Sequence, residues 1–113
     1  MKNLIVLISL FLSSVISFAQ SDTKTETFKV DGNCGMCKKR IENAAYIKGV
    51  KRADWDKESH SLTVVYRPSK TSPEAIQQSI AKAGHSTEKV EATETDYKKL
   101  PECCQYKTNT CEH

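Results

Sequence analysis

The chain has 113 residues, enough for one small domain and short appendages. Its 17 basic and 14 acidic side chains give a formal charge of +3 at pH 7, a balance that argues against a nucleic-acid-binding protein. The five cysteines are an odd number, so either one thiol stays free or the thiols serve chemistry rather than a disulfide framework.

The N-terminal residues are organised like a secretory signal peptide. Lys2 precedes an uncharged apolar run, and the small residues that follow end at Ala19 in a cleavage site of the Ala-x-Ala type. Serines interrupt the run before it reaches the about 20 apolar residues that a membrane span needs. We therefore predict a signal peptide at 1–19, cut after Ala19, and a periplasmic or secreted protein without a stable membrane span.

The first elements after the signal peptide are a strand and a helix. A polar segment at 20–25 is expected to be flexible. Residues 27–30 then alternate polar and apolar side chains, which indicates a half-buried strand. Apolar residues from 36 to 47 approximate helical spacing, and Gly49 is expected to end that helix.

The second half of the pattern contains two strands, a helix and a weaker strand. Val50, Ala53 and Trp55 are interpreted as the inward face of a second strand, and residues 62–67 alternate as a third strand does. Ser72, a capping residue followed by proline and glutamate, predicts the start of a second helix, and Gly84 is expected to end it. A short segment at 87–92 is predicted to be a fourth strand.

This order of elements predicts an α+β fold. Strand, helix, strand, strand, helix, strand is the ferredoxin-like βαββαβ sandwich, with one four-stranded antiparallel sheet and two helices on one face. The domain is predicted to span 26–92. The pattern then fades, and 93–113 is expected to be a tail that contains cysteine and histidine.

Two cysteines, Cys34 and Cys37, lie two residues apart between the first strand and the first helix. Gly32 and Gly35 allow a tight turn around them. Cys37 falls where the helix should begin, and backbone N–H groups and the cations at 38–40 favour an anion there. The thiolate form that binds metals is therefore expected.

The C-x-x-C motif after the first strand is accompanied by Ile41-Glu42, by Gly49-Val50 at the second strand and by Ala83-Gly84 at the end of the second helix. With these residues the chain resembles the heavy-metal-associated domain family, which includes copper chaperones and exported mercury-binding proteins. The resemblance implies that Cys34 and Cys37 are the metal ligands.

The predicted function is a carrier of a soft metal, not an enzyme. Two thiolates suit Cu(I), and they leave room for a thiol of a metal-transporting or metal-accepting protein to take the ion by ligand exchange. Hg(II) is an alternative because it also binds two thiolates in a line, and Zn(II) would need further ligands. The carrier is expected to be a monomer or a metal-bridged dimer.

A thiol-disulfide redox protein is the alternative from another class. A C-x-x-C motif at a helix start also suits disulfide exchange. The thioredoxin-like pattern, however, needs a longer chain and a cis-proline loop that faces the pair, and none of the three prolines fits that role.

Further residues that could bind a soft metal lie after the second predicted helix and in the tail. His85 follows Gly84 and is predicted either to be a third ligand or to support the metal ligands from behind, or else to be a solvated loop histidine. In the tail, Cys103, Cys104, Cys111 and His113 are a possible second metal site, or they fold back to share the first ion. The remaining alternative is a disulfide between Cys111 and one of the adjacent pair.

Overall fold

The computed structural model describes residues 22–33 and 35–107. The predicted signal peptide, Cys34, Cys111 and His113 lie outside the described residues, and what was predicted for them stays a prediction. Within the described ranges, no helix has the length and apolar character needed to cross a membrane.

The described chain contains three strands, three α-helices and one short 3-10 helix. Their bounds, in chain order, are β1 Lys24–Lys29, α1 Gly35–Ala45, β2 Val50–Trp55, β3 Ser61–Tyr66, α2 Pro73–Lys82, α3 Glu94–Lys98 and the 3-10 helix Glu102–Cys104.

The strands form one antiparallel sheet in the order β1-β3-β2. Leu62 in the central strand lies opposite Phe28 in β1 and Trp55 in β2, and all three side chains are buried. The next row of the register, Thr27, Thr63 and Asp54, points to the other face. Period-two alternation therefore gives the sheet one apolar and one polar face, as predicted.

Both long helices cover the apolar face. Ile41 and Ala45 of α1 and Ile76 and Ile80 of α2 are completely buried in the same core cluster as the inward side chains of the sheet. One shared core means that α1 and α2 lie on one side of the sheet. The predicted α+β arrangement of ferredoxin-like type is confirmed.

The predicted fourth strand is reduced to a single bridge in the described part of the chain, between Val30 and Thr87. The reason is local hydrogen bonding. Thr87 N donates to Val90 O at 2.8 Å, and Lys89 N donates to the side-chain oxygen of Gln77 at 2.9 Å. These bonds fold residues 87–90 into a turn, so backbone pairing with β1 is limited to Glu88 N, which donates to Lys29 O at 3.0 Å.

The predicted start and stop of α2 are both observed. Ser72 caps the helix, since its Oγ accepts a hydrogen bond from Ala75 N at 3.2 Å, and Pro73 is the first helical residue. Gly84 follows the last turn with φ of +105°, a conformation that residues with a Cβ rarely adopt. A Cβ at Gly84 would also lie 2.8 Å from the Cγ of Leu100.

The segment after residue 93 carries structure that the sequence pattern did not predict. Thr93 caps α3 by accepting a hydrogen bond from Asp96 N at 3.1 Å. Tyr97 and Leu100 are both buried, and Leu100 fills the space left by the missing side chain of Gly84. The described part of the predicted tail is therefore packed onto the end of α2.

Candidate metal centre

The chain that leads to the cysteine pair is fixed by hydrogen bonds at the end of β1. The indole N–H of Trp55 donates to Val30 O at 3.0 Å, and Asp31 N donates to Ser86 O at 2.9 Å. These two bonds fix the backbone at Val30 and Asp31, where the loop begins. The loop therefore starts from a fixed position beside the sheet.

Gly32 is required because the loop passes very close to the core. A Cβ at this position would lie 3.0 Å from the Cδ1 of Ile41 and from the indole of Trp55, and 3.1 Å from the Cβ of Cys37. At Gly35 a Cβ would meet no atom within 4 Å. Of the two glycines predicted to shape the loop, only Gly32 is constrained by its neighbours.

This difference gives a matched pair of variants. We expect Gly32→Ala to lower the free energy of unfolding by about 1–3 kcal/mol, because the new methyl group overpacks the contact with Cys37. Gly35→Ala should stay within about 1 kcal/mol of the parent, because its methyl group enters open space at the start of α1. Urea unfolding of the metal-free protein measures both values, and equal losses would contradict the assignment.

Cys37 lies where the sequence predicted, in the first turn of α1. Its side chain is completely buried, and its thiol is free. The N–H groups of a first helical turn have no partner within the helix and favour a negative charge nearby. The position therefore suits a sulfur that binds a metal as a thiolate.

The cationic side chains after Cys37 serve different contacts. Lys38 bonds to Asp54 at 2.7 Å, to the carboxylate of Glu42 and to Trp55 O at 3.0 Å. The hydrogen bond with Lys38 holds the pKa of Asp54 below its usual value, while the same contact raises the pKa of Lys38. Lys38 thus ties α1 to β2, whereas Lys39 is exposed.

The C-terminal segment, defined here as residues 101–107, returns to the cysteine loop. The side-chain amide of Asn33 donates to Cys103 O at 3.2 Å. The Sγ of Cys103 lies 3.6 Å from the Sδ of Met36 and 4.0 Å from the Sγ of Cys104. Residues about seventy positions apart in the sequence therefore meet at one place.

Cys104 is the innermost of the C-terminal sulfurs. Its side chain is completely buried, and burial is the main cause that raises the pKa of its thiol. The next causes are a side-chain hydrogen bond and charge interaction with Cys37, followed by those with Cys103. Cys37, Cys103 and Cys104 are all free thiols. The structure thus brings part of the predicted tail site to the predicted primary site.

No group of three Cys, His, Asp or Glu side chains in the described ranges is already arranged to hold a metal ion. Cys34, the other half of the predicted pair, lies outside those ranges. Use of Cys34 and Cys37 as ligands therefore stays a prediction, as does a site that includes Cys111 and His113.

His85 is buried beside the loop. Its Nδ1 lies 2.7 Å from Asp31 O, and since a carbonyl only accepts, Nδ1 carries the proton. Nε2 is then the unprotonated nitrogen, and it has no hydrogen-bond partner among the described residues. Burial lowers the pKa of His85 to about 4, so the ring is neutral at pH 7. His85 therefore lies next to Asp31, and its role as a metal ligand or as support for the ligands stays a prediction.

Tyr106 is a structural residue that the sequence analysis did not single out. Its hydroxyl donates to Gly84 O at 3.0 Å and accepts from Ser86 N at 3.1 Å, and its ring stacks on His85 with centroids 5.7 Å apart. These contacts anchor the C-terminal segment behind the loop. Nothing in the local pattern marked Tyr106, because its partners are about twenty positions away.

The fold and the position of Cys37 define a small α+β domain with a thiol-bearing loop. Residues 27–86, more than half of the chain, match the heavy-metal-associated domain family. The chain belongs to this family, which confirms the resemblance drawn from the sequence. The match ends before α3, so the C-terminal segment is an addition to the matched domain.

Solved structures of similar proteins each cover 57% of this chain. The CopZ metallochaperone is 32% identical, with 57% of this chain and 98% of that chain covered and a TM-score of 0.55. Oxidized MerP from Ralstonia metallidurans CH34 is 28% identical, with coverage of 57% and 93% and a TM-score of 0.54. A search of curated proteins gave no match.

A third structure is named for its metal. The N-terminal domain of a potential copper-translocating P-type ATPase from Bacillus subtilis, in the Cu(I)-loaded state, is 28% identical, with 57% of this chain and 84% of that chain covered and a TM-score of 0.54. The likeness extends over nearly the whole of these small domains.

Proposed function

We propose that the protein is an exported carrier of Cu(I), which binds the ion through the thiolates of Cys34 and Cys37 and passes it to a partner by ligand exchange. The observation that carries the proposal is the free, buried thiol of Cys37 in the first turn of α1, within a heavy-metal-associated domain. Two of the similar structures are named for copper transport or metal delivery.

The chemistry follows from the softness of sulfur. Thiolates select Cu(I) over Mg²⁺, Ca²⁺ or Mn²⁺. Two thiolates leave the ion with room for another ligand, so a thiol of a metal-transporting or metal-accepting protein can bind before a first bond breaks. Transfer by exchange needs no free ion and no catalytic group.

Export rests on the N-terminal sequence. A periplasmic or secreted location is oxidising, and there a bound metal protects two nearby thiols from forming a disulfide. The proposal therefore joins the signal peptide to the cysteine pair in one role, the handling of copper outside the cytoplasm.

Hg(II) is the second candidate ion. It also forms linear complexes with two thiolates, and the donor set of the pair does not separate the two metals. Parallel titrations with Cu(I) and Hg(II) would rank them. Reduction of insulin disulfides by the dithiol protein would instead favour the redox alternative.

The test of the proposal is an anaerobic Cu(I) titration of the reduced protein against a competing chelator. We expect Cys34→Ser/Cys37→Ser to weaken binding by at least about a thousandfold, or roughly 4 kcal/mol. Cys111→Ser is the matched comparison, because it removes a thiol that lies outside the C-x-x-C motif. Equal copper binding by the parent and the double variant would refute the proposal and make the tail the principal site.

A further inference from the structure

The C-terminal segment makes a specific contact with the cysteine loop. Asn33 bonds to the backbone of Cys103, and Tyr106 anchors the other end of the segment to Gly84 and Ser86. Tyr97 supports it from α3, because its hydroxyl accepts from Lys107 N at 3.0 Å and its ring packs edge-on against Tyr106, with centroids 5.0 Å apart. Several independent contacts thus fix where the adjacent cysteines lie.

The two adjacent cysteines occupy different positions. Cys104 is completely buried and belongs to the same core cluster as Cys37. Cys103 is half-buried and contacts Met36, whose side chain is 48% exposed. The short 3-10 helix Glu102–Cys104 separates an inner sulfur from an outer one.

Packing alone does not account for this arrangement. A buried free cysteine often acts as a small apolar side chain. Here, however, Cys103 contacts both Met36 and Cys104, and Cys104 lies in the same buried cluster as Cys37, the residue that the proposed function uses as a ligand. Three thiols and one thioether from two distant parts of the chain are thus neighbours. Soft donors gathered in this way match the preference of Cu(I).

We propose that Cys104 supplies an additional sulfur ligand, from the same chain, to the soft metal ion held at Cys37. This inference rests on the proposed function and extends its site. As the new metal–sulfur bond forms, the thiol of Cys104 releases its proton to solvent, and the ion keeps its charge, so no oxidant or reductant is needed. Metal–sulfur bonds of about 2.3 Å place the sulfurs of a trigonal site about 4 Å apart, which is a contact distance for neighbouring thiols.

The additional ligand changes the character of the site. A third sulfur from within the chain occupies the position that an outside thiol would otherwise take. The ion is then held more tightly and is less open to small thiols, and a partner must displace Cys104 to receive it.

The experiment counts the sulfurs around Cu(I) bound to the reduced protein, by X-ray absorption at the copper edge in anaerobic buffer free of thiols. We expect three sulfurs for the parent and two for Cys104→Ala, with affinity for Cu(I) about 10- to 100-fold lower in the variant, the range seen when groups around a metal site are removed. Cys103→Ala is the matched comparison for the adjacent thiol: loss of a sulfur in this variant, with three sulfurs kept in Cys104→Ala, would assign the third ligand to Cys103 and overturn the inference. Sedimentation at the same concentration shows whether the loaded protein is a monomer.

If a variant fails to fold, the parent alone can still refute the inference. Two sulfurs in the parent, or a third sulfur that comes from a second copy in a dimer, would overturn the inference. So would unchanged coordination and affinity in Cys104→Ala. The Cys34→Ser/Cys37→Ser variant separates the two proposals: if it loses copper while Cys104→Ala does not change the site, only the additional ligand is refuted.

Discussion

Replacing Trp55 by alanine is expected to lower the free energy of unfolding by about 3–5 kcal/mol, a large share of the stability of so small a domain. The side chain is only 1% exposed and lies in the core beside Leu62. The substitution removes the largest fully buried side chain of the described residues and leaves a cavity under the cysteine loop.

The effect should reach the metal site, because Trp55 also supports the loop. Its indole N–H bonds to Val30 O, and its ring lies against Gly32. Trp55→Phe keeps most of the packing but loses this hydrogen bond. We therefore expect it to lower the free energy of unfolding by about 1–2 kcal/mol relative to the parent. Urea unfolding measures the stability of each variant, and the Cu(I) affinity of the folded fraction measures the effect on the metal site. A loss of stability below about 1 kcal/mol for Trp55→Ala would contradict the structure.

Mild acid is expected to destabilise the metal-free protein through His85. Burial lowers the pKa of this side chain from 6.5 to about 4 in the folded protein. Between these values the unfolded chain binds a proton that the folded chain excludes, so stability is fully present above about pH 6.5 and is lost as the pH falls towards 4. The loss should be roughly 2 to 3 kcal/mol between pH 7 and pH 4.5.

The comparison of two histidine variants isolates this effect from the titration of carboxylates. His85→Gln should be less stable than the parent at pH 7 and should lose roughly 2 to 3 kcal/mol less on acidification. His60→Gln is the matched control variant, because it removes a histidine that is only partly buried. Denaturant unfolding at pH 7 and pH 4.5 gives all the values, and identical acid losses in the parent and His85→Gln would exclude His85 as the cause.

The domain was predictable from the sequence because its signals are local. Alternation in Leu62–Tyr66, the cap at Ser72 and the stop at Gly84 each depend on a few neighbouring residues, and each is observed. The same is true of Cys37, whose place at the start of α1 follows from the spacing of the apolar residues behind it. Together with the C-x-x-C motif, these signals were enough to identify the family.

The fourth strand and the C-terminal segment were not predictable in this way. The side chain of Gln77 on α2 accepts a hydrogen bond from the backbone of Lys89 and draws that region into a turn, which no pattern within 87–92 reveals. The contact of Asn33 with Cys103 joins residues about seventy positions apart, and α3 depends on the space above Gly84. Such contacts are set by the three-dimensional arrangement of elements rather than by local preference.

The packing of Leu100 over Gly84 has a consequence for motion. Tyr97, Leu100 and Cys104 belong to the same core cluster as the side chains of β1 to α2, but they lie in the part of the chain that follows α2. We expect this terminal part to open locally while the sheet and both long helices stay folded. Opening of such a unit costs less than global unfolding, and its amide hydrogens exchange at a rate set by that smaller cost. Local opening is then sufficient to separate Cys104 from Cys37, and the rest of the domain stays folded.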